Sequence, residues 1–276
     1  MTAADAPDPT TTPEASATSE APGWRTALVT GASSGIGREM ARILAGEGTD
    51  LVVVARDEAR LKALAAELPV DVEVLVADLA DPAQLAAVER RVIDPERPVD
   101  LVVNNAGFGT YGDLVDADID TEEREIAVNI TAVVRLTYAG LGAMVARGRG
   151  AVLNVSSVAG LQATPGNATY GASKAFVASF GEAVAGELAG TGVTLTTVLP
   201  GFTRTEFAER AGIGGRSIPG PAWMDAPDVA AQALEATRAG KPWLVPGAFN
   251  KVLVAAAGPV PRGLKRRLAA KVATRV

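Results

Sequence analysis

A tyrosine and a lysine four residues apart, in Tyr170-Gly171-Ala172-Ser173-Lys174, are the groups in this chain best spaced to move a proton. The 276 residues include no histidine and no cysteine, so proton chemistry near neutral pH must fall to a shifted tyrosine, lysine or carboxylate. The same absence excludes disulfides, thiol catalysis, Ser/His and Cys/His nucleophiles and zinc sites of the usual kind. A phenol that titrates near pH 10 is a poor base at neutral pH. An ammonium about 4 Å away, at an effective dielectric of about 20, favours the phenolate by about 4 kcal/mol, or up to about three pKa units. Positions i and i+4 of a helix share a face, so Lys174 can lie beneath Tyr170 and bring it into a useful range. By itself the spacing is weak, with about 0.07 such pairs expected by chance; its place in a larger order of motifs gives it weight.

The elements that must position the pair are legible as short apolar runs alternating with helical patterns. The runs are Thr26–Thr30, Leu51–Ala55, Val72–Val76, Val99–Val103, Ala151–Val155, Val193–Leu199 and Trp243–Val245. Runs that are apolar throughout suit strands buried on both faces, and intervening helices make the strands parallel. The helical patterns are Gly35–Glu47, Glu58–Leu68, Pro82–Ile93, Thr121–Ala146, Thr169–Leu188 and Pro227–Arg238, with Asp57, Asp81 and Asp120 or Thr121 standing where N-caps are expected. The fold class is α/β: a Rossmann-like, doubly wound parallel sheet of about seven strands with helices on both faces, binding ligands at the carboxyl ends of its strands. Phe202 to Asp225 is rich in glycine and proline and reads as a long loop with a short helix at its start.

Further motifs follow in order. Gly31-Ala32-Ser33-Ser34-Gly35-Ile36-Gly37 links the first strand to the first helix; Asn104-Asn105-Ala106-Gly107 closes the fourth strand; Asn129 lies in the long helix; Ser156-Ser157 ends the fifth strand; Pro200-Gly201 ends the sixth. A glycine turn opening a helix lets the backbone approach a pyrophosphate and sets that anion on unpaired N–H groups. This Gly-x3-Gly-x-Gly spacing, with the ordered Asn, Ser, Tyr and Lys, resembles the short-chain dehydrogenase/reductase family from about Trp24 to Asn250. The resemblance implies hydride transfer between a nicotinamide cofactor and a carbonyl or secondary alcohol. A carbonyl receiving hydride develops alkoxide charge and needs a donor acid and an oxyanion partner. Tyr170 is the implied donor. Lys174 reaches the nicotinamide ribose, and Asn129 bends its helix and orders a water that links Lys174 to solvent. Adjacent strand residues face opposite ways, so only one of the two serines can meet substrate, and the 13-residue offset to Tyr170 selects Ser157.

The resemblance also distributes cofactor contacts. Ser33, Ser34 and Ile36 belong to the glycine turn; Asn105, Ala106 and Gly107 pass under the adenosine ribose, while Asn104 stitches strands together. Asp78-Leu79 matches the segment whose Asp reads the adenine amino group. Pro200, Gly201, Thr203 and Thr205 cover the nicotinamide face. The place where NAD users carry an acid is Ala55, followed by Arg56. Asp57 reads better as a helix cap. Arg56 and Arg38 can clamp a 2′-phosphate with forked, charge-assisted bonds, so NADP(H) is favoured over NAD(H).

Charge and composition bound the rest. The net charge is −6; residues 1–23 carry four acids and no base, residues 251–276 seven bases and no acid. The acidic body argues against a nucleic-acid partner. Residues 1–23 read as a disordered tail without a secretion signal, 24–250 as the catalytic domain and 251–276 as an apolar and basic extension. No stretch reaches the roughly 18 apolar residues of a membrane span, which gives a cytoplasmic protein whose basic C-terminus could touch anionic lipid. Phe202, Phe207, Ile213, Ile218, Trp223 and Met224 could line an apolar pocket or equally pack on the sheet; no basic residue is clearly placed to select a substrate, Arg204, Arg210 and Arg216 being only candidates. No metal is expected. A homodimer or homotetramer is implied, with Phe176, Val177, Phe180, Val184 and Leu188 as candidate contact residues.

Overall fold

In the computed structural model, residues 23–207 and 220–257 are described. Seven parallel strands form one sheet in the order β3-β2-β1-β4-β5-β6-β9. They are β1 (Thr26–Thr30), β2 (Asp50–Ala55), β3 (Val72–Val76), β4 (Leu101–Asn104), β5 (Gly150–Val155), β6 (Val193–Val198) and β9 (Trp243–Leu244). Numbering runs outward in both directions from β1 and β4, so the crevice between them is the switch point where such sheets bind ligands. Successive strand residues face opposite layers. Ala27, Val29 and Val53 pack with Met40, Leu61 and Leu234 on one side; Leu28, Val52 and Val102 pack with Val88, Leu136 and Met144 on the other. Both faces are apolar because both are covered, which is why the central strands β1, β2 and β4 read as apolar runs.

The helices are α1 (Gly35–Gly46), α2 (Glu58–Glu67), α3 (Pro82–Val92), α4 (Ile119–Ile126), α5 (Val133–Arg147), α6 (Ala168–Glu187), α7 (Ala226–Arg238) and α8 (Ala248–Ala257). Asp57 accepts from Arg60 N, and Asp81 from Ala83 N and Gln84 N, so each takes up N–H groups that a helix start leaves unpaired. At α4 the expected cap, Asp120 or Thr121, is replaced by Asp118, whose carboxylate accepts both the backbone N–H and the hydroxyl of Thr121. Three acids at alternating positions made that register ambiguous. The helix is also interrupted: Ala127–Ala132 winds as a π turn between α4 and α5. By length and composition Ile119–Arg147 could cross a membrane, against the expectation above, but Ala132, Leu136 and Met144 are spent on the core.

Two further departures lie after β6. Where a loop was expected, β7 (Phe202–Arg204) pairs in parallel with β8 (Trp223–Asp225), with Phe202 against the Trp223 ring and Arg204 bonded to Asp225. Secondly, α8 runs through Asn250, so the boundary drawn there cuts a helix; buried Asn250 donates to Pro246 O. Ile213, Ile218, Arg210, Arg216 and the basic C-terminal stripe lie outside the described residues. Removing the α4 cap should be measurable: Asp118→Ala is expected to cost about 1 kcal/mol in urea denaturation, while Asp120→Ala stays within about 0.5 kcal/mol of wild type. The reverse ranking would return the cap to Asp120.

Candidate active site

The crevice is built around a strand-end threonine. Thr30, buried at the end of β1, donates its hydroxyl to Val103 O at 3.1 Å and accepts from Asn105 N and Ala106 N at 3.0 Å each. Asn105 returns its amide to Thr30 O and Gly31 O, at 3.0 and 3.3 Å. The glycine turn and the chain leaving β4 are thereby locked together. Gly31 and Gly35 adopt left-handed conformations (φ 67° and 57°) that favour glycine. A Cβ on Gly37 would collide with the Asn105 amide and Gly31 O. Ser34 occupies the N-cap of α1 without making a side-chain cap bond, and no acid stands in the first turn. The α1 N-terminus therefore presents uncapped N–H groups beside a backbone stripped of side chains, which is what a dinucleotide pyrophosphate requires. Ile36 packs against the core, Ser33 and Ser34 are half-buried, and Thr205 lies over the turn, its Cγ2 3.2 Å from where a Gly35 Cβ would stand.

Around this cradle the other cofactor candidates divide. Arg56 is exposed at the end of β2, and Arg38 reaches Glu39 at 3.4 Å. Asp78 is engaged: its carboxylate accepts from Ala80 N at 3.0 Å and pairs with Arg124 at 2.7 Å. Burial would raise its pKa, but those bonds, with help from Arg56, hold it below the usual carboxylate range. Leu79 is buried in the core, leaving only its backbone for a ligand. Asn104 bonds Asn154 of β5 and Thr137 of α5, at 2.9 and 3.1 Å, in the strand-stitching position the resemblance implies. Across the mouth, Arg60 of α2 meets Glu206 at 2.6 Å. Thr203 donates to Gly201 O and Thr205 to Thr203 O, bracing the turn that follows Pro200.

The structure brings Asn129, Ser157, Tyr170 and Lys174 together at the carboxyl ends of β4 and β5. Ser156 is buried and gives its hydroxyl to Lys174 O at 2.6 Å. Ser157, half-buried, caps the turn at Val158–Leu161 by accepting from Ala159 N at 3.1 Å, lies 3.4 Å from Pro200 O and is near enough to Tyr170 to favour its ionised form. Lys174 Nζ donates to Val155 O at 3.0 Å and lies 5.6 Å from the centre of the Tyr170 ring. Asn129, on the π turn, accepts from Phe108 N and donates to Phe108 O and Ser173 Oγ. Gly107 and Gly109 permit close approach: added Cβ atoms would stand 2.9 Å from Asn129 Oδ1 and 2.7 Å from the Tyr170 ring. Phe207 packs on the other side of that ring, with centroids 5.6 Å apart.

The electrostatics correct the sequence reading. Tyr170 is not pulled down by its lysine. Burial pushes its phenol up to about 12, opposed by the nearby Ser157 hydroxyl and reinforced by the charge of Glu125. Lys174 bears the opposite shift: burial lowers it to about 8, with Glu125 acting the other way. The expected effect assumed an ammonium about 4 Å from the phenol; here Lys174 is turned toward Val155 O. Reasoning from the sequence also missed Thr30, Glu122 and Glu125; a Thr ending an apolar run and acids within a helix carry no distinctive pattern.

A model of the short chain dehydrogenases matches residues 25–213. The chain belongs to that family. A curated relative, the Granaticin polyketide synthase putative ketoacyl reductase 1 of Streptomyces violaceoruber, is 39% identical over 206 residues, 73% of this chain and 76% of its own. Among solved structures, a short-chain dehydrogenase from Sphingobium yanoikuyae in complex with NADPH superposes with a TM-score of 0.78 at 40% identity, over 87% of this chain and 94% of that one. The bulky-bulky ketone specific alcohol dehydrogenase of Comamonas testosteroni gives 0.72 at 31% identity, over 87% and 96%. This short-chain dehydrogenase is accordingly an oxidoreductase with the family's seven-stranded parallel fold.

The tightness of the cradle can be tested alone. Although alanine is the better helix former by about 1 kcal/mol, Gly37→Ala should destabilise by about 1–3 kcal/mol by displacing Asn105. A thermal midpoint equal to or above wild type would show that the turn is slack.

Proposed function

We propose that this short-chain dehydrogenase is an NADP(H)-dependent reductase of carbonyl groups on apolar, keto-acyl-sized substrates. The observation that carries the reading is the cluster of half-buried Tyr170 and Ser157 with buried Lys174, at the same end of the sheet as the uncapped α1 N-terminus. A bound nicotinamide dinucleotide supplies hydride for reduction, or accepts it in the reverse direction. The glycine turn, Asn105 to Gly107 and the Pro200–Thr205 turn would hold it, with Arg56 and Arg38 at its 2′-phosphate. The NADPH-bound Sphingobium relative supports that choice.

This chain's own residues then do four things. Ser157 hydrogen-bonds the carbonyl oxygen. Tyr170, a protonated phenol at neutral pH, passes its proton to that oxygen as negative charge develops there. Lys174 supplies a buried positive charge beside the phenol and the ribose. Phe207 packs against the Tyr170 ring and supplies an apolar wall beside it. For the subunit, exposed Phe176 stacks on Phe180, and Tyr138 is 82% exposed on α5. These residues support pairing between copies through α5 and α6. Val177 and Leu188 are buried within the subunit and leave that set. The cytoplasm suits such an enzyme, with the N-terminal tail and basic C-terminal extension flanking it.

Reduction needs Tyr170 protonated and Lys174 charged, so the rate should hold at and below neutral pH and fall as pH rises through about 8. Tyr170→Phe should lower turnover of NADPH, followed by its absorbance with a ketone panel, by a factor of about 10²–10⁴ with the cofactor dissociation constant nearly unchanged. Retained turnover contradicts the assignment. Arg56→Asp should weaken NADPH at least tenfold more than NADH; equal affinity of the wild type for both removes the NADP preference.

A further inference from the structure

One buried titratable group at this site has no part in the mechanism above. Glu125 stands on α4, one turn before Asn129, and is 0% exposed. A carboxylate this deep is rare without a compensating partner. Its Oε2 accepts the Thr110 N–H at 3.0 Å and lies 3.1 Å from the Thr110 hydroxyl, while Oε1 is buried with no hydrogen-bond partner among the described residues. Glu122, one turn earlier and also buried, meets the same hydroxyl at 2.6 Å. One hydroxyl carries one proton, and the shorter contact assigns it to Glu122. Glu125 is left with a single backbone donor and the field of a cation.

That cation is Lys174. Burial pushes Glu125 above the usual carboxylate range and the charge of Glu122 adds to that, while the Thr110 bonds and Lys174 pull it back; burial lowers Lys174, and Glu125 favours its ammonium. Among the described residues, the other titratable groups facing the pair are Glu122 on α4 and Tyr170 on α6; the loop offers the neutral Thr110 and β5 the Val155 carbonyl. Thr110 also ties the loop to α6, since its carbonyl accepts from Asn167 Nδ2 at 3.4 Å. The neighbouring Gly109 is the backbone against which the Tyr170 ring rests.

We propose that Glu125 is a positioning residue of this site: its carboxylate is the counter-charge of the buried Lys174 ammonium, and through Thr110 it holds the Gly107–Thr110 segment against Tyr170. The proposal rests on Tyr170 and Lys174 being the proton-handling pair. Glu125→Gln keeps the shape and an acceptor for Thr110 N but removes the charge. Lys174 then loses the influence that raises its pKa among the described residues, so it sheds its proton at lower pH. Because reduction requires the protonated lysine, the alkaline limb of kcat should move down by about one pH unit, with KM and the rate at pH 6 within about twofold of wild type. Glu125→Asp, which restores the charge, should return the limb toward its original position.

A merely structural role would change the rate at every pH or the thermal midpoint and leave the limb in place. An unmoved or raised limb therefore overturns the proposal. A second readout needs no turnover: the pH midpoint for acylation of Lys174 by acetic anhydride, followed by peptide mass spectrometry, in wild type and Glu125→Gln. A lowered midpoint in the variant supports the counter-charge even if the wild type reduces no ketone, whereas equal midpoints reject it.

Discussion

The site depends on a reciprocal bond pair between the end of β5 and α6. Lys174 sends its ammonium to Val155 O, and the next residue, Ser156, sends its hydroxyl back to Lys174 O. An ammonium buried this deeply costs several kcal/mol unless bonds and charge offset it. Meeting that cost fixes the rotation and height of α6 against the sheet, and with it Tyr170 one turn earlier. Ser156, which sequence reasoning set aside in favour of its neighbour, is half of that strap. Its neighbour Ser157 lies beside Tyr170 because adjacent residues of an extended chain face opposite ways, so one dipeptide supplies both the support and a polar neighbour of the phenol.

Burial sets the chemistry in a direction opposite to simple ion pairing. It holds Tyr170 protonated up to about 12 and brings Lys174 to about 8. A phenol that keeps its proton is suited to donating it to a developing alkoxide, and a lysine titrating just above neutral pH makes the charge beside it responsive to its surroundings. Glu125, Asn129 and the glycine-lined loop at Gly107 and Gly109 are those surroundings. The crevice thus couples two buried structures, the Thr30–Asn105 lock at the glycine turn and the Lys174–β5 strap. Each brings a ligand-facing backbone to the same edge of the sheet.

Much of this was legible in the sequence because it rests on local pattern. Thr26–Thr30 matches its strand residue for residue, since two-sided burial writes an apolar run between clear turn signals, and Val72–Val76 matches too, although it is a half-buried edge strand that carries Glu73. Asp57 and Asp81 were readable as caps because each stands immediately before the first residue of its helical pattern. Legibility failed where long-range packing decides. Asp118 won over Asp120 by reaching Thr121; the π turn exists to seat Asn129 on Phe108; β7 and β8 pair across a gap no periodicity reveals. Val177 and Leu188 were read as contact surface, but only the three-dimensional placement of α6 shows that they face inward. The charge of Glu125 was invisible for the same reason, and so was the direction of the Tyr170 shift, which burial governs and spacing does not.

Isotope transfer tests the central claim, that this crevice passes hydride to a carbonyl under the control of Tyr170, most directly. NADPH deuterated at the nicotinamide C4, in each of its two stereochemical forms, would be incubated with an apolar ketone and the alcohol analysed by mass spectrometry. The account predicts deuterium on the carbinol carbon from one of the two forms only, and none with Tyr170→Phe in the same time. Alcohol formed without deuterium from either form, or labelled equally well by the phenylalanine variant, would contradict it.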